Sequence, residues 1–203
     1  MTTPHAETLL SLDQSTQDLL FREARTAYTF TDEPVGDEQV RAIYDLVKYG
    51  PTSMNQQPLR VALLRSDKAR ERLLPYMKGA NRHKTARAPL VALLAADLDF
   101  HEELPRVFPH FPTAKDVFAD PASRTKSAVT NGCIQIGYFI IGIRAAGLAA
   151  GPMTGYDEPG LNKEFFGDGT HTVLAVMNIG HPDEDAWSPR SPRLPYDEVV
   201  TTI

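Results

Sequence analysis

Four short polar islands carry the side chains with which this sequence could do chemistry. They are Arg25-Thr26-Ala27-Tyr28, Thr52-Ser53-Met54-Asn55, Asn81 to Lys84, and Arg190 to Arg193. Guanidinium and hydroxyl groups are what a phosphate monoester needs, arginine presenting its donors as a fixed fork. The amides of Asn55, Asn81 and Asn131 can donate to and accept from the edge of a heteroaromatic ring. Taken alone, each island reads as a solvated loop, and only their order along the chain changes that.

Other chemistries find no support. No G-x-G-x-x-G follows a strand, and there is no Walker-type loop, H-E-x-x-H or G-x-S-x-G elbow. The six histidines are scattered without the spacing of a metal pair, so no metal is expected. His101, beside Glu102 and Glu103, reads as part of a solvated helix face. The one cysteine, Cys133, reads as a small buried hydrophobe and not as a nucleophile. If the chain is an enzyme, a bound cofactor carries the hard step.

The stretch that must position these groups runs from Ser127 to Asp157. From Cys133 to Ile143 only Gln135 and glycines interrupt bulky apolar residues, which predicts a helix with no true solvent face. Such a helix spans a membrane or lies at the centre of a fold. A span needs about 20 apolar residues, and Arg144 cuts this one short, so burial is expected. Gly132, Gly137 and Gly142 each cost about 1 kcal/mol against alanine in a helix, which points to close approach by a neighbour. Gly147 offers a C-terminal stop, and Gly151-Pro152 with Gly155 predicts an irregular backbone able to turn N–H groups toward a ligand.

Around this centre the remaining elements follow in order. Residues 1–14 read as a loose arm, and Ser15 with Asp18 as a weak capping box opening a helix through Arg22. Asp37 is placed to cap a helix carrying Val40, Ile43, Tyr44 and Val47 at i, i+3, i+4 and i+7. Gly50-Pro51 ends it, and a proline-bounded loop fills 50–60. A strand at 60–65 is followed by a helix capped by Ser66 that runs to about Lys78. The runs at 90–96 and 172–179 are apolar without alternation, as in strands covered on both faces. Residues 105–121 hold four prolines and three phenylalanines and read as a lid or binding loop, with Phe108, Phe111 or Phe118 covering a ligand. A short helix around Glu158 to Phe166 and a proline-rich tail from Gly180 complete the chain. These elements alone give no topology.

At 203 residues, 42% hydrophobic and 23% charged, the chain has the size and composition of one soluble domain. A net charge of −5 argues against general nucleic-acid binding. No basic segment followed by an apolar one opens the chain, so a cytoplasmic protein is expected, with no membrane partner.

In their order the islands closely resemble the nitroreductase family of FMN-dependent oxidoreductases. ARTAYTFTDEPVGDEQV is similar to its N-terminal phosphate segment, and GPTSMNQQPLR to its Pro-Ser-x-x-Asn-x-Gln-Pro loop, the most specific signal. NRHKTARAP resembles the Asn-x-x-Lys segment, GPMTGYD the loop that meets the flavin's reactive edge, and HPDEDAWSPRSPRLPYDEVV the basic C-terminal segment. The resemblance covers roughly residues 18 to 200. RTAYTF, KYGPTSMN, GPMTGYD and PRLPYDE look most like the branch containing malonic semialdehyde reductase.

The resemblance implies an α+β three-layer sandwich in one domain, 1–203, with a mostly antiparallel sheet. A strand from the partner's 180–203 tail would complete that sheet in an intertwined homodimer. It implies tightly bound FMN, with NADH or NADPH as reductant and a small-molecule electron acceptor, in ping-pong hydride transfer. Arg25, Thr26 and Tyr28 would lie at the phosphate, helped by Arg190 and Arg193. Pro51, Thr52, Ser53 and Asn55 would line the flavin from the partner subunit. Asn81 and Lys84 would meet the pyrimidine edge, Lys84 stabilising charge near N1 and O2. Pro152, Thr154 and Gly155 would face the ring, with the Gly155 N–H toward N5, and Asn131 matches an amide position near the cofactor. No side chain is assigned as catalytic acid or base.

Three departures matter. Ala24 stands where many relatives have arginine, Tyr28 where they have lysine or arginine, and Thr154 where some have an acid. The branch resemblance favours reduction of 3-oxopropanoate to 3-hydroxypropanoate. A broad nitro or quinone reductase, a flavin-consuming enzyme, a non-catalytic flavin-binding protein and a plain dimeric interaction protein stay open.

Overall fold

The computed structural model describes residues 9–203, so most of the expected N-terminal arm lies outside the described residues. Four strands, β1 (Leu59–Leu64), β2 (Leu90–Asp97), β3 (Ala149–Met153) and β4 (His171–Gly180), pair in the order β1-β2-β4-β3, which puts the apolar β2 and β4 in the middle. Every pairing is antiparallel, and the register shifts between Leu94 and Ala95.

β2 shows why the central strands lack alternation. Leu90, Ala92 and Leu94 point into one core with Ile136, Phe139 and Ile143, while Val91 and Leu93 point into another with Leu73, Met77 and Leu161. With both faces covered, neither side chain set can be polar. The first core is roofed by α2 (Asp37–Val47) and α6 (Pro121–Ala145). α3 (Asp67–Leu73) and α7 (Glu158–Phe165) cover the second core, and the sandwich therefore has three layers. Among the described residues no helix is long and apolar enough to cross a membrane.

α6 is bounded by local chemistry at both ends. The Asp120 carboxylate accepts the Ser123 N–H at 2.8 Å, which holds its carboxyl below the usual range, and Pro121 occupies the first helical position. At the other end Gly147, at φ +75°, donates to Arg144 O (2.9 Å), and Leu148 donates to Ile143 O (3.1 Å). This pair of bonds is a Schellman stop, and glycine accommodates its left-handed backbone without a Cβ clash.

Two expectations for α6 need correction. Cys133, Ile134, Gly137 and Tyr138 form an exposed stripe at helical spacing, so in this chain the helix has an open face and Cys133 is not buried. The glycines then divide by face. A Cβ at Gly132 would stand 2.7 Å from Leu174 Cδ1, and one at Gly142 would collide with Val47 Cγ1, whereas Gly137 has open space. The apolar residues all round the helix conceal this division, because hydropathy does not distinguish a covered face from an uncovered one.

Other local differences have physical causes. Asp13 and not Ser15 caps α1 (Gln14–Gln17), accepting the Thr16 N–H at 2.8 Å, and the chain continues as a π-helical turn, Asp18–Arg22. Gly36 is the N-cap of α2, and the Asp37 carboxylate pairs with Arg65 at 2.6 Å instead. α3 does not run to Lys78; it ends at Leu73 and a 3-10 turn, Leu74–Tyr76, follows. The polar island Asn81 to Lys84 lies on a helix, α4 (Ala80–Arg87). Gly151 and Pro152 lie in strand β3, not in irregular backbone, because β3 is an edge strand and proline is tolerated there. In the 105–121 segment, α5 (Leu104–Val107) is followed by a 3-10 turn, Ala114–Phe118. Phe118 is core there, set edge-on to Phe100 at 5.0 Å.

Tyr156 links β4 to the loop after β3 and titrates in a predictable direction. Its buried hydroxyl donates to Val173 O at 3.1 Å. Burial pushes its pKa up to about 12, with smaller contributions from Glu158 and Cys133. The folded state thus favours the neutral phenol, a stabilisation present below the ordinary pKa near ~10 and lost as pH rises toward the folded value. We expect the thermal midpoint to fall between roughly pH 10 and 12, and to fall less steeply in Tyr156→Phe. Parallel curves would assign the alkaline loss to other groups.

Candidate active site

The N-terminal and C-terminal islands meet because segment 24–31 runs beside the tail. Tyr28 N–H donates to Ala186 O (2.9 Å), Thr31 N–H to His181 O (3.0 Å), and the Arg190 guanidinium to Ala24 O (3.3 Å). Between them lies a cleft of about 340 Å³, closed by the last turns of α6 and by β3. Arg25, Arg144, Arg190 and Arg193 all line it, together with Thr26, Tyr28 and Pro152, and among the described residues no carboxylate does.

The arginines are only partly satisfied within the chain. The Arg25 guanidinium lies 5.3 Å from the Trp187 ring centroid; among the described residues its nearest acid is Glu23 at 3.8 Å, and its buried Nε has no partner. Arg193 bonds to Ser191 O at 2.8 Å, a contact within its own turn. Like charges so placed raise each other's energy unless an anion enters. A phosphate monoester fits this donor set.

Tyr28, which lines the cleft, also touches the third island. Lys84 Nζ sits 4.0 Å from the Tyr28 ring centroid, a cation–π contact. Asn81, one turn before Lys84 on α4, donates from Nδ2 to Gly155 O at 3.3 Å. The 154–156 loop is pinned by Lys78 N–H to Gly155 O (3.0 Å) and Asp157 N–H to Tyr76 O (2.8 Å). Among the described residues the Gly155 N–H has no acceptor. A cation, an amide and an N–H without an acceptor among the described residues thus lie together beside the cationic cleft. Thr154 is exposed.

The second island lies elsewhere. Pro51 and Ser53 are exposed, and the loop docks on the opposite half of α6: Ser53 N–H donates to Asn131 Oδ1 at 2.8 Å, and Asn55 Nδ2 to Val107 O at 2.8 Å. Asn131 and Arg144 are thirteen residues apart on α6, which is about 20 Å along the helix. Within one chain, then, Pro51, Thr52, Ser53 and Asn55 do not meet the cleft. Asn131 uses its other end on Gln56 Oε1 (3.2 Å) and Ser127 O (2.9 Å), so its amide anchors the loop. Met54, Asn55 and Gln57 are held at φ 49°, 51° and 46°. Such backbone costs on the order of 1–3 kcal/mol per residue and persists where its surroundings enforce it.

Sequence reasoning missed Arg144, treating it as the end of an apolar run. Its guanidinium is buried and donates to Leu19 O and Glu23 O, each at 3.3 Å. Burial, then Arg190 and Arg25, lowers its pKa. A charged residue closing a helix with no solvent-facing pattern was the available signal. His101 is not on a solvated face: it is half-buried, with Nε2 3.4 Å from Arg124 and, among the described residues, a buried Nδ1 without a partner. Among the described residues no three His, Cys, Asp or Glu side chains could hold a metal ion together.

Fold and site define an α+β sandwich with a cationic cleft and a pinned glycine loop after β3. The chain belongs to the nitroreductase family, whose model matches residues 21–181. A Streptomyces coelicolor protein provisionally named NADH dehydrogenase/NAD(P)H nitroreductase is 65% identical over 195 residues, covering 96% of this chain and 99% of that protein. A Leptothrix cholodnii protein with the same provisional name is 44% identical over 200 residues, covering 98% and 99%. Among solved structures, a Bacillus subtilis protein provisionally assigned as a nitroreductase matches with a TM-score of 0.82 at 20% identity, covering 91% of this chain and 97% of that one. One from Exiguobacterium sibiricum, also provisionally a nitroreductase and solved in complex with FMN, matches at 0.81 and 17% identity, covering 93% and 97%. At such identities these two structures speak to the fold.

Proposed function

We propose that this chain is an FMN-dependent NAD(P)H oxidoreductase that works as a homodimer. The observation that carries the reading is, among the described residues, an arginine-lined cleft without a carboxylate in which Arg25 Nε is buried without a partner, together with a Gly155 N–H that has no acceptor. The provisional names of the curated relatives and the FMN bound in the Exiguobacterium sibiricum structure support it. When bound, FMN supplies two-electron chemistry at N5, taking electrons from NADH or NADPH and handing them to a small acceptor in ping-pong order.

The chain's own residues bind and orient. Arg25, Thr26, Arg190 and Arg193 hold the phosphate, and Tyr28 walls the path from it to Lys84. Lys84 would set its ammonium group at the pyrimidine edge, where negative charge would develop. Asn81 holds the Gly155 carbonyl, which orients the Gly155 N–H. Pro152 and Thr154 give the ring a wall of backbone.

The homodimer follows from what one chain leaves open. Loop 51–55 is strained, anchored and remote from its own cleft, as a loop serving a partner's cleft would be. The open stripe of α6 and the exposed Tyr44, Leu46 and Tyr49 offer apolar cover for a second copy. Tail residues Leu194, Tyr196, Val199 and Val200 are exposed as well. α8 (Tyr196–Val199) is a single helical turn in this chain, and exchange onto the partner would give these side chains a place. The acceptor we favour is a small aldehyde, 3-oxopropanoate reduced to 3-hydroxypropanoate.

The test is a visible absorption spectrum of protein incubated with FMN and freed of excess, before and after NADH or NADPH. We expect a retained flavin spectrum that bleaches with reductant and returns on adding 3-oxopropanoate. Return only with quinones or nitroaromatics would remove the aldehyde assignment. No retained flavin would overturn the cofactor.

A further inference from the structure

We propose that Arg144 is a binding residue for a phosphate monoester, supplying the charge that Ala24 and Tyr28 do not. The inference rests on reading the cleft as the FMN phosphate site. Arg144 is 8% exposed, yet it lines that cleft beside Arg25 and Arg190. Its three hydrogen bonds, from Nε and one terminal nitrogen, all go to the backbone carbonyls of Leu19 and Glu23. The other terminal nitrogen makes none among the described residues.

Carbonyls orient a guanidinium but do not neutralise it. A buried cation without a carboxylate is destabilising, and two neighbouring arginines make it more so. The arrangement becomes favourable once a dianion shares the cleft. Arg144 also fixes the segment that carries Arg25, because Leu19 and Glu23 lie at the π-helical turn just before it. This second role is purely positional, and the test must separate it from charge.

Arg144→Gln keeps a donor for the carbonyls and removes the charge; Arg144→Lys keeps the charge. Affinities of the full chain for FMN and for riboflavin, which lacks the phosphate, are measured together with stabilisation by inorganic phosphate. We expect Arg144→Gln to weaken FMN about ten- to a hundredfold and riboflavin by less than about twofold, with Arg144→Lys restoring most of the FMN affinity. Equal loss for both flavins, or unchanged FMN affinity, would overturn the assignment. If the native chain binds neither flavin, the function proposed above fails and the phosphate measurement decides Arg144 alone. Phosphate stabilisation of the native chain that Arg144→Gln loses would support it, and none in the native chain would overturn it. Should Arg144→Gln not fold, Arg144→Lys decides: a preserved ratio of FMN to riboflavin affinity supports the charge role, and a collapsed ratio removes it.

Discussion

Replacing Gly142 with valine should lower stability by about 2–4 kcal/mol. For a chain of this length that is a fall in thermal midpoint of roughly 5–15 °C. Gly142 lies where α6 crosses α2, and a Cβ there would overlap Val47 Cγ1 and come within 3.2 Å of Ile43 Cγ2. Neither neighbour can yield cheaply. Ile43 is buried, and both are β-branched and stiff at χ1 on a helix. The helix-propensity gain from removing a glycine, at most about 1 kcal/mol, does not offset the overlap. Gly137 is the control. It has open space, so Gly137→Ala should raise the midpoint slightly in an isolated chain. Thermal melts of both variants check this, and a tolerated Gly142→Val would mean that the α2–α6 crossing is looser than the structure shows. A marked loss in Gly137→Ala would instead mean that a second chain covers the open stripe.

These two glycines also mark how far sequence reading reaches. The glycine spacing predicts close approach, but only the three-dimensional crossing with α2 assigns that approach to Gly142 and Gly132 and withholds it from Gly137. The unalternating runs that became β2 and β4 were readable because burial on both faces leaves the same mark in any sheet. The stop at Gly147 was readable because a Schellman turn is set by a few adjacent residues. Arg144 was not, since its partners Leu19 and Glu23 lie 125 and 121 residues away. The strand at Gly151-Pro152 was hidden for a related reason. Glycine and proline are poor strand formers, and only pairing with β4 at the sheet's edge makes the extended form acceptable there. Of the candidate site, the island order identified three that meet in this chain, while the docking of Pro51 to Asn55 some 20 Å away along α6 depends on packing no local pattern records.

Gly155→Val should abolish flavin retention while leaving the fold intact. A Cβ at Gly155 would stand 2.6 Å from Asn81 Nδ2, so Asn81 must swing off the Gly155 carbonyl. That movement is cheap for stability, because the amide bond is long at 3.3 Å and only half-buried. For the cofactor it is costly twice over. On the proposed reading the branched side chain bars the ring from the Gly155 N–H, which has no acceptor among the described residues, and the displaced amide leaves the pyrimidine edge. We expect FMN affinity to fall on the order of a hundredfold, with the thermal midpoint of the ligand-free protein shifted by only a few degrees. Asn81→Ala divides the two causes: it removes the amide and spares the approach, so its loss should be smaller, about tenfold. Thr154→Val, altering a neighbour whose role is carried by backbone, should bind FMN as the native chain does. Equilibrium dialysis of the three variants distinguishes these outcomes. Full retention of FMN by Gly155→Val would place the ring away from this loop.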